Sequence, residues 1–578
     1  MKHFLHIFVQ KFLLFAFIHR LIPNTLAKKK EEKRPGSHFL LRTGDSCKVF
    51  LLCFTLDEHL LYDIFCAFIK SLWRTGVTGV RLRSIIGKYR QFFIAALCGL
   101  ALLTVLAIDL FHLSSGAQAG QRAGDASQGL NEYSYELIFR PEEKSLAVTM
   151  TLRFTNRTGE QLNNLLLRTW AGAYASEETS PAAIDALYEA CYPQGFDPGG
   201  IAIEGVWWND APVNAAFLDG ACTALRADIS TLSDGENGQL LLRCRLSIPE
   251  CAHRFGHSQE IWQFGNALPI LSVYENGGWR ADAYSPLGDP FYSECANYSV
   301  SLIAPQGYAL ACTGTQTVEK RQDGTERFTV SARAVRDFGF ALSDSWAQSS
   351  QQVSGVTVAA YGPDNESAKR AARYAAQALK TYDVRFGDYP WERYTVCAVN
   401  FPFGGMEYPG LSFITLACFE KDMADSLELT IAHETAHQWF YALVGSDQIN
   451  QPWQDEALCE FAMLRYALDR YGKSAYENLR ITRADAPMRE RIPQRVTPAT
   501  PISGFGSLDV YSAVVYGRGC AFLLAADEMS GKIDAFLREY CDRYAFSIAS
   551  RQDFADLLND VTGEDLEPLM ADYLDTLM

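Results

Sequence analysis

The sequence is 578 residues long, 48% hydrophobic and 21% charged, which is too much chain for one compact domain and too apolar for a disordered one. Its net charge of −16 is unevenly spread: residues 1–115 hold 16 basic and 7 acidic residues, a balance of +9, and the remainder carries −25. So acidic a body repels phosphate, which excludes nucleic acid as a partner.

Residues 1–80 have no clear reading. Lys11 interrupts the apolar stretch from His3 to Ile22, and Asp57, Glu58 and Asp63 interrupt the one from Val49 to Ile69. No Met occurs between Met1 and Met150, and one reading puts the natural start near residue 80. Phe92 to Ile108 is then 17 residues without a charge, about 26 Å of helix and close to the thickness of a bilayer core. Arg81, Arg83, Lys88 and Arg90 precede it. By the positive-inside rule, residues 81–113 read as a basic flank and a single-pass transmembrane helix in the cell membrane, with everything after it extracytoplasmic. Ala117-Gln118-Ala119 offers an alternative, a signal peptide released after Ala119. Residues 114–130 are small and polar and read as a linker.

The next region is strand-like. Tyr135–Phe139, Leu146–Phe154, Gly238–Ile248, Tyr298–Ile303 and Phe328–Ala332 alternate or are rich in β-branched and aromatic residues, and turn dipeptides such as Asp234-Gly235 and Asp323-Gly324 punctuate them. Residues 131–354 are therefore expected to be mainly β. Val356–Tyr361 is a short strand, Glu366–Tyr382 an Ala-rich helix, and helical patterns dominate from Leu427, so residues 355–578 form an α/β to helical domain. The fold class is α+β and multidomain. Eleven of the 15 cysteines follow the anchor, without a CxxC pair; a disulfide among Cys191, Cys222, Cys244, Cys251, Cys295 and Cys312 stays open.

The chemistry concentrates in His433-Glu434-Thr435-Ala436-His437, inside a helical pattern that runs to Gly445. Residues four apart share a helix face, so the two imidazoles converge as two ligands of a tetrahedral Zn²⁺, one per chain. Glu434 projects beside such a metal and is placed to take a proton from the water it activates. A catalytic zinc takes a third protein ligand. Glu456, in the first turns of the next helical pattern from Pro452 to Tyr471, fits that role, and Asp455 is its local competitor. His253 and His257 also stand four apart, without a nearby third ligand.

The spacing of His433, Glu434 and His437, with Glu456 after 18 intervening residues, resembles the gluzincin signature of the membrane alanyl aminopeptidase and leukotriene hydrolase family. Gly404-Gly405-Met406-Glu407-Tyr408 resembles the family's Gly-x-Met-Glu-Asn motif, and Tyr516-Gly517-Arg518-Gly519 its Tyr-x-Lys-Gly segment. Gly288–Glu294 (GDPFYSE) and Arg336–Ser343 (RDFGFALS) are similar to sequences of its β domain. The resemblance implies a saddle-like β domain and a thermolysin-like catalytic domain. It implies zinc on His433, His437 and Glu456, with Glu434 as general base. It also implies that Tyr516 donates to the oxyanion, that Glu407 beside Met406 holds the substrate's α-amine, and that the Gly404-Gly405 backbone pairs with the peptide.

Some positions depart from the family pattern. Tyr408 replaces the motif Asn, Gln454 and Ala457 replace Leu and Gly around the third ligand, and Arg518 replaces Lys. Tyr408 puts strict reading of the N-terminus in question. Only 122 residues follow Glu456, too few for the family's large C-terminal helical domain, which implies a more open cleft that accepts longer peptides. The expected function is a zinc aminopeptidase acting on peptide substrates and tethered to a membrane by an N-terminal helix. The alternatives are a membrane-anchored zinc endopeptidase and a non-catalytic peptide-binding ectodomain. The oligomeric state is open.

Overall fold

The computed structural model describes residues 120–577. The expected basic flank, transmembrane helix and cleavage site, and the segment 1–80, lie outside the described residues. The expected linker is half inside them, and there the structure differs. Gln121–Ala126 is a helix whose Ala123 is buried. Arg122 pairs with Asp542 at 3.2 Å, and the Gly120 amide donates to Pro390 at 3.1 Å. Small residues read as flexible in sequence, but here they allow close packing: a Cβ on Gly120 would meet Glu392 at 2.6 Å.

An eight-stranded sheet dominates the first half. Its order runs Thr315–Lys320, Thr325–Val335, Ala296–Pro305, Glu132–Arg140, Ser145–Thr155, Asn237–Ser247, Gly200–Trp208 and Ala211–Pro212. All neighbours are antiparallel except Glu132–Arg140 beside Ala296–Pro305. Residues of Glu132–Arg140 are alternately exposed and buried along its length, the sign of a sheet with one face on the core. Two four-stranded sheets and a two-stranded ribbon, Tyr274–Glu275 with Gly278–Trp279, complete this mainly β part.

The second half begins with a five-stranded sheet ordered Ala347–Val353, Val356–Gly362, Arg393–Val399, Leu411–Thr415 and Gly405–Tyr408. Ala347–Val353 belongs here, so the division at residue 354 falls inside a hairpin. Ser354 and Gly355 both have positive φ (51° and 80°), as a two-residue turn matching the strand twist requires. Helix Asn365–Phe386 connects the parallel strands Val356–Gly362 and Arg393–Val399, capped by Asp364, whose carboxylate accepts from the Glu366 and Ser367 amides. Arg393–Val399 is buried on both faces, which is why its run is apolar rather than alternating. Gly405–Tyr408 is an edge strand, hydrogen-bonded only to Leu411–Thr415.

Helices build the rest. Ala424–Ala436 carries the histidine motif and Trp453–Tyr471 packs against it. The first ends nine residues short of Gly445. Trp439, Phe440, Tyr441, Ala442 and Leu443 are apolar in sequence because they are buried on every side, not because they continue a helix. Among the described residues one helix, Leu508–Ser530, is long and apolar enough to cross a membrane; 67% of its most apolar window is buried in the protein.

Two side chains lock the halves together. Arg336, 2% exposed, leaves the β part and donates to the carbonyls of Tyr441 (2.8 Å), Leu443 (3.3 Å), Ser293 (3.2 Å) and Ser547. Gly445 packs on this guanidinium; a Cβ there would come within 2.5 Å. Tyr408 runs the other way, from the edge strand into the β part. Its ring lies against Gly339 and its hydroxyl against Gly265, donating to Asn266 Oδ1 at 3.1 Å. Arg336→Met removes the donors from four carbonyls, at a cost of about 3 kcal/mol or more. Thermal unfolding should shift down by several degrees relative to the parent, and an unchanged midpoint would contradict the clamp.

Candidate active site

His433 lies in the last turn of helix Ala424–Ala436 and His437 is its C-terminal cap, still in helical φ/ψ. The i,i+4 relation therefore survives although the helix stops there. Glu456 projects from the first turn of Trp453–Tyr471. The structure brings the three side chains together: His433 Nε2 and His437 Nε2 are 3.1 Å apart, and each is 3.3 Å from Glu456 Oε2. Ligand atoms about 2.0–2.1 Å from a tetrahedral zinc are about 3.3 Å from one another, so the three residues fit such an ion without rearrangement. Asp455 is not the competitor. It turns to the back of His437, whose Nδ1 donates to Asp455 Oδ1 at 2.7 Å, while Gln448 donates to the other oxygen.

Sequence reasoning missed this second layer. Glu460, one turn after Glu456, is 3.4 Å from His433 Nδ1 and is held by Arg483 at 3.2 Å. Both imidazoles are thus oriented by carboxylates, which fixes Nε2 as the metal-facing atom. The i,i+4 spacing of Glu456 and Glu460 was the available signal. Burial alone would lower the basicity of His433, but Glu456 and Glu460 outweigh it and hold the imidazole up at about 9. Burial would likewise raise Glu456, but the two imidazoles pull it well below the usual carboxylate range.

Around the triad stand carboxylates that no protein donor satisfies. Glu434 is 5% exposed, its Oε2 has no partner, and burial pushes its pKa up to about 7. Gly405 packs on it so closely that a Cβ would fall 2.5 Å from the carboxyl carbon, so the second motif glycine is a steric requirement. Glu407 shares the strand face of Gly405 and is 4% exposed with an orphaned Oε1. Burial raises its pKa well above the ordinary value. Oxygens of Asp289, Glu407 and Glu456 lie within 4.8 Å of one another. Asp289 comes from the β part, in the GDPFYSE segment, and Arg254 Nη2 fixes it at 2.5 Å. It is a second candidate residue that the sequence did not single out.

The remaining expected residues fall as follows. Tyr516 sits in a π-helical stretch, Ser512–Arg518, stacks on His433 with ring centres 5.8 Å apart, and donates to Glu456 Oε1 at 2.5 Å. Met406 points away, with its sulfur 3.2 Å from Arg254 Nε. Gly404 is exposed beside Thr430. The departures from the family pattern lie outside the reacting space. Arg518 donates to the Pro487 and Glu490 carbonyls, Gln454 to Tyr540 and the Ala549 carbonyl, and Ala457 meets Gly519 where the two helices touch. Tyr408 is buried in the β part, so it does not obstruct the amine side of the cleft. His253 and His257 are not brought together: His253 Nδ1 is 2.6 Å from the Tyr174 hydroxyl, and His257 stacks on Trp262. Among the described residues all eleven cysteines are free.

Two histidines and one carboxylate, with a buried carboxylate beside them, form a group that could hold a metal ion. Residues 370–573 match the Peptidase family M1 domain. It is 24% identical over 321 residues to aminopeptidase RNPEPL1 of Mus musculus, covering 51% of this chain and 42% of that protein. It is 27% identical over 296 residues to aminopeptidase B of Mus musculus, covering 47% and 43%. The chain thus spans less than half the length of these relatives. An M1 zinc metallopeptidase from Deinococcus radiodurans has the same fold, with a TM-score of 0.57 and 18% identity over 78% of this chain and 96% of that one.

Removing the charge behind one imidazole tests the second layer. Asp455→Asn should weaken zinc binding about ten- to a hundredfold, read by competition with a chelating dye. Parental affinity in that variant would mean that Asp455 does not hold His437.

Proposed function

We propose that this chain is a zinc aminopeptidase that removes N-terminal residues from peptides. The observation that carries the proposal is the pairing of a tetrahedral ligand triad with two orphaned carboxylates, Glu434 and Glu407, in one buried cleft. His433, His437 and Glu456 would hold the zinc ion, which when bound would supply Lewis-acid polarisation of the scissile carbonyl and a water with a pKa of about 7.

The chain's own residues do the remaining work. Glu434 takes the proton of the attacking water and passes it to the leaving amine; its raised pKa suits both tasks near neutrality. Tyr516 moves its phenol hydrogen bond from Glu456 to the developing oxyanion, a term of about 3 kcal/mol. Glu407 and Asp289 together receive the substrate's α-ammonium. Its three N–H donors and single charge match two carboxylates, one of which Arg254 already neutralises in part. The free edge of Gly405–Tyr408 offers main-chain hydrogen bonds to an extended substrate.

Supporting a membrane tether are the uncharged run Phe92–Ile108, the four basic residues before it and the change from +9 to −25 across it. On this reading the enzyme faces outward and remains with membranes after carbonate washing; a fully released protein would favour cleavage after Ala119.

Glu434→Gln should lower kcat about a thousandfold while zinc content stays at one per chain. Glu407→Gln and Asp289→Asn should each raise KM for free-amine substrates about tenfold or more, without loss of zinc. Activity surviving in Glu434→Gln would refute the mechanism, and unchanged KM values would refute the amine pocket.

A further inference from the structure

Residues 176–199, between the short helical turn Trp170–Ala175 and strand Gly200–Trp208, contain no strand and one four-residue helix, Tyr188–Cys191. Polar contacts fasten this excursion to the segment that follows strand Asn237–Ser247. The Ala252 amide donates to the Cys191 carbonyl at 2.9 Å, and the Glu250 amide donates to Asp197 Oδ2 at 2.7 Å. Lys144 lies 3.3 Å from Asp197 and 3.4 Å from Glu250. The first contact lays residue 191 beside residue 251, and the two thiols face each other as hydrogen-bond partners. Cys191 is 0% exposed and Cys251 1%. The Cys251 amide donates to the His257 carbonyl at 2.9 Å, which fixes its backbone. Three residues on is Arg254, which holds Asp289 in the active-site cleft.

We infer that Cys191 and Cys251 are a disulfide site, closed when the chain folds in the presence of a disulfide oxidant. A disulfide spans Cα atoms about 4.4–6.8 Å apart, the separation of backbones in hydrogen-bond contact, so closure asks little of the main chain. Each thiol loses a proton, one S–S bond forms, and the two electrons pass to a disulfide such as oxidised glutathione, which takes up both protons and becomes two thiols. Burial holds the Cys251 thiol well above its ordinary pKa. The thiolate that starts the exchange is therefore scarce once the pair is packed away. The bond forms while the excursion is still docking, and afterwards it resists reduction. It closes a loop of about 60 residues that contains strands Gly200–Trp208, Ala224–Leu232 and Asn237–Ser247. It also staples a segment with little regular structure of its own to the one that carries Arg254.

The test uses the full chain made by cell-free synthesis in detergent, one batch with mixed reduced and oxidised glutathione and one with excess reductant. Free thiols are alkylated and the protein is digested with chymotrypsin, which separates Cys191 from Cys222. The oxidised batch should yield the peptide that ends at Tyr192 joined by a disulfide to the one that holds Cys251, with Cys244, Cys312 and Cys397 alkylated. The thermal midpoint of the oxidised parent should lie about 5 °C or more above that of the reduced parent. Cys191→Ala and Cys251→Ala should each show the same midpoint in both batches. Alkylation of both Cys191 and Cys251 in the oxidised batch overturns the inference, as does a disulfide from either of them to another cysteine. Equal midpoints for the oxidised and reduced parent overturn it as well, and that comparison needs no substitution to fold.

Discussion

Three lone-pair donors within 3.3 Å of one another repel unless a cation lies between them, and the second half of this chain is organised around holding them there. Two helices supply the donors, one ending at His437 and one beginning at Trp453. Asp455 and Glu460 stand behind the imidazoles and make their outer nitrogens donors, so the inner nitrogens face the ion. The same constraint explains the glycine in the edge strand. Gly405 lets the backbone approach until Glu434 is pressed between strand and metal site, where burial gives it the proton affinity of a base that works near neutral pH.

The β part contributes to the site as well as covering it. Asp289 reaches the cleft from a loop that Arg254 fixes, and Tyr408 anchors the edge strand by its far end. Arg336 ties down the turn that follows the histidine helix. A buried guanidinium facing four carbonyls is satisfied only when all three segments are in place. The two halves are therefore one mechanical unit at the cleft, and the position of His437 depends on contacts made by both.

Much of this was legible in sequence where one physical rule dominated. The His433–His437 spacing survives the early helix end because only the last helical turn matters. The alternation in Glu132–Arg140 is legible because one face is buried and the other wet. Residues 438–444 misled because burial on all sides and helical amphipathicity look alike in a short apolar run. Asp289 was invisible because its role depends on a neighbour 35 positions away, Arg254, and on a cleft assembled from both halves. Asp455 was seen as a rival ligand because its type and position suit one; only the turn of the helix sends it behind His437. Tyr408 drew attention as a departure from the family motif, yet its side chain leaves the cleft altogether, toward two glycines that sequence could not pair with it.

The central claim is that one buried metal centre acts on peptides whose free amine it reads. It is tested most directly by hydrolysis of a leucyl fluorogenic amide and its N-acetylated counterpart by the full chain, with and without a zinc chelator. The account predicts cleavage of the free-amine substrate alone, abolished by chelator and restored by zinc. Equal cleavage of both substrates would contradict the reading of Glu407 and Asp289, and cleavage indifferent to chelator would contradict the metal centre itself.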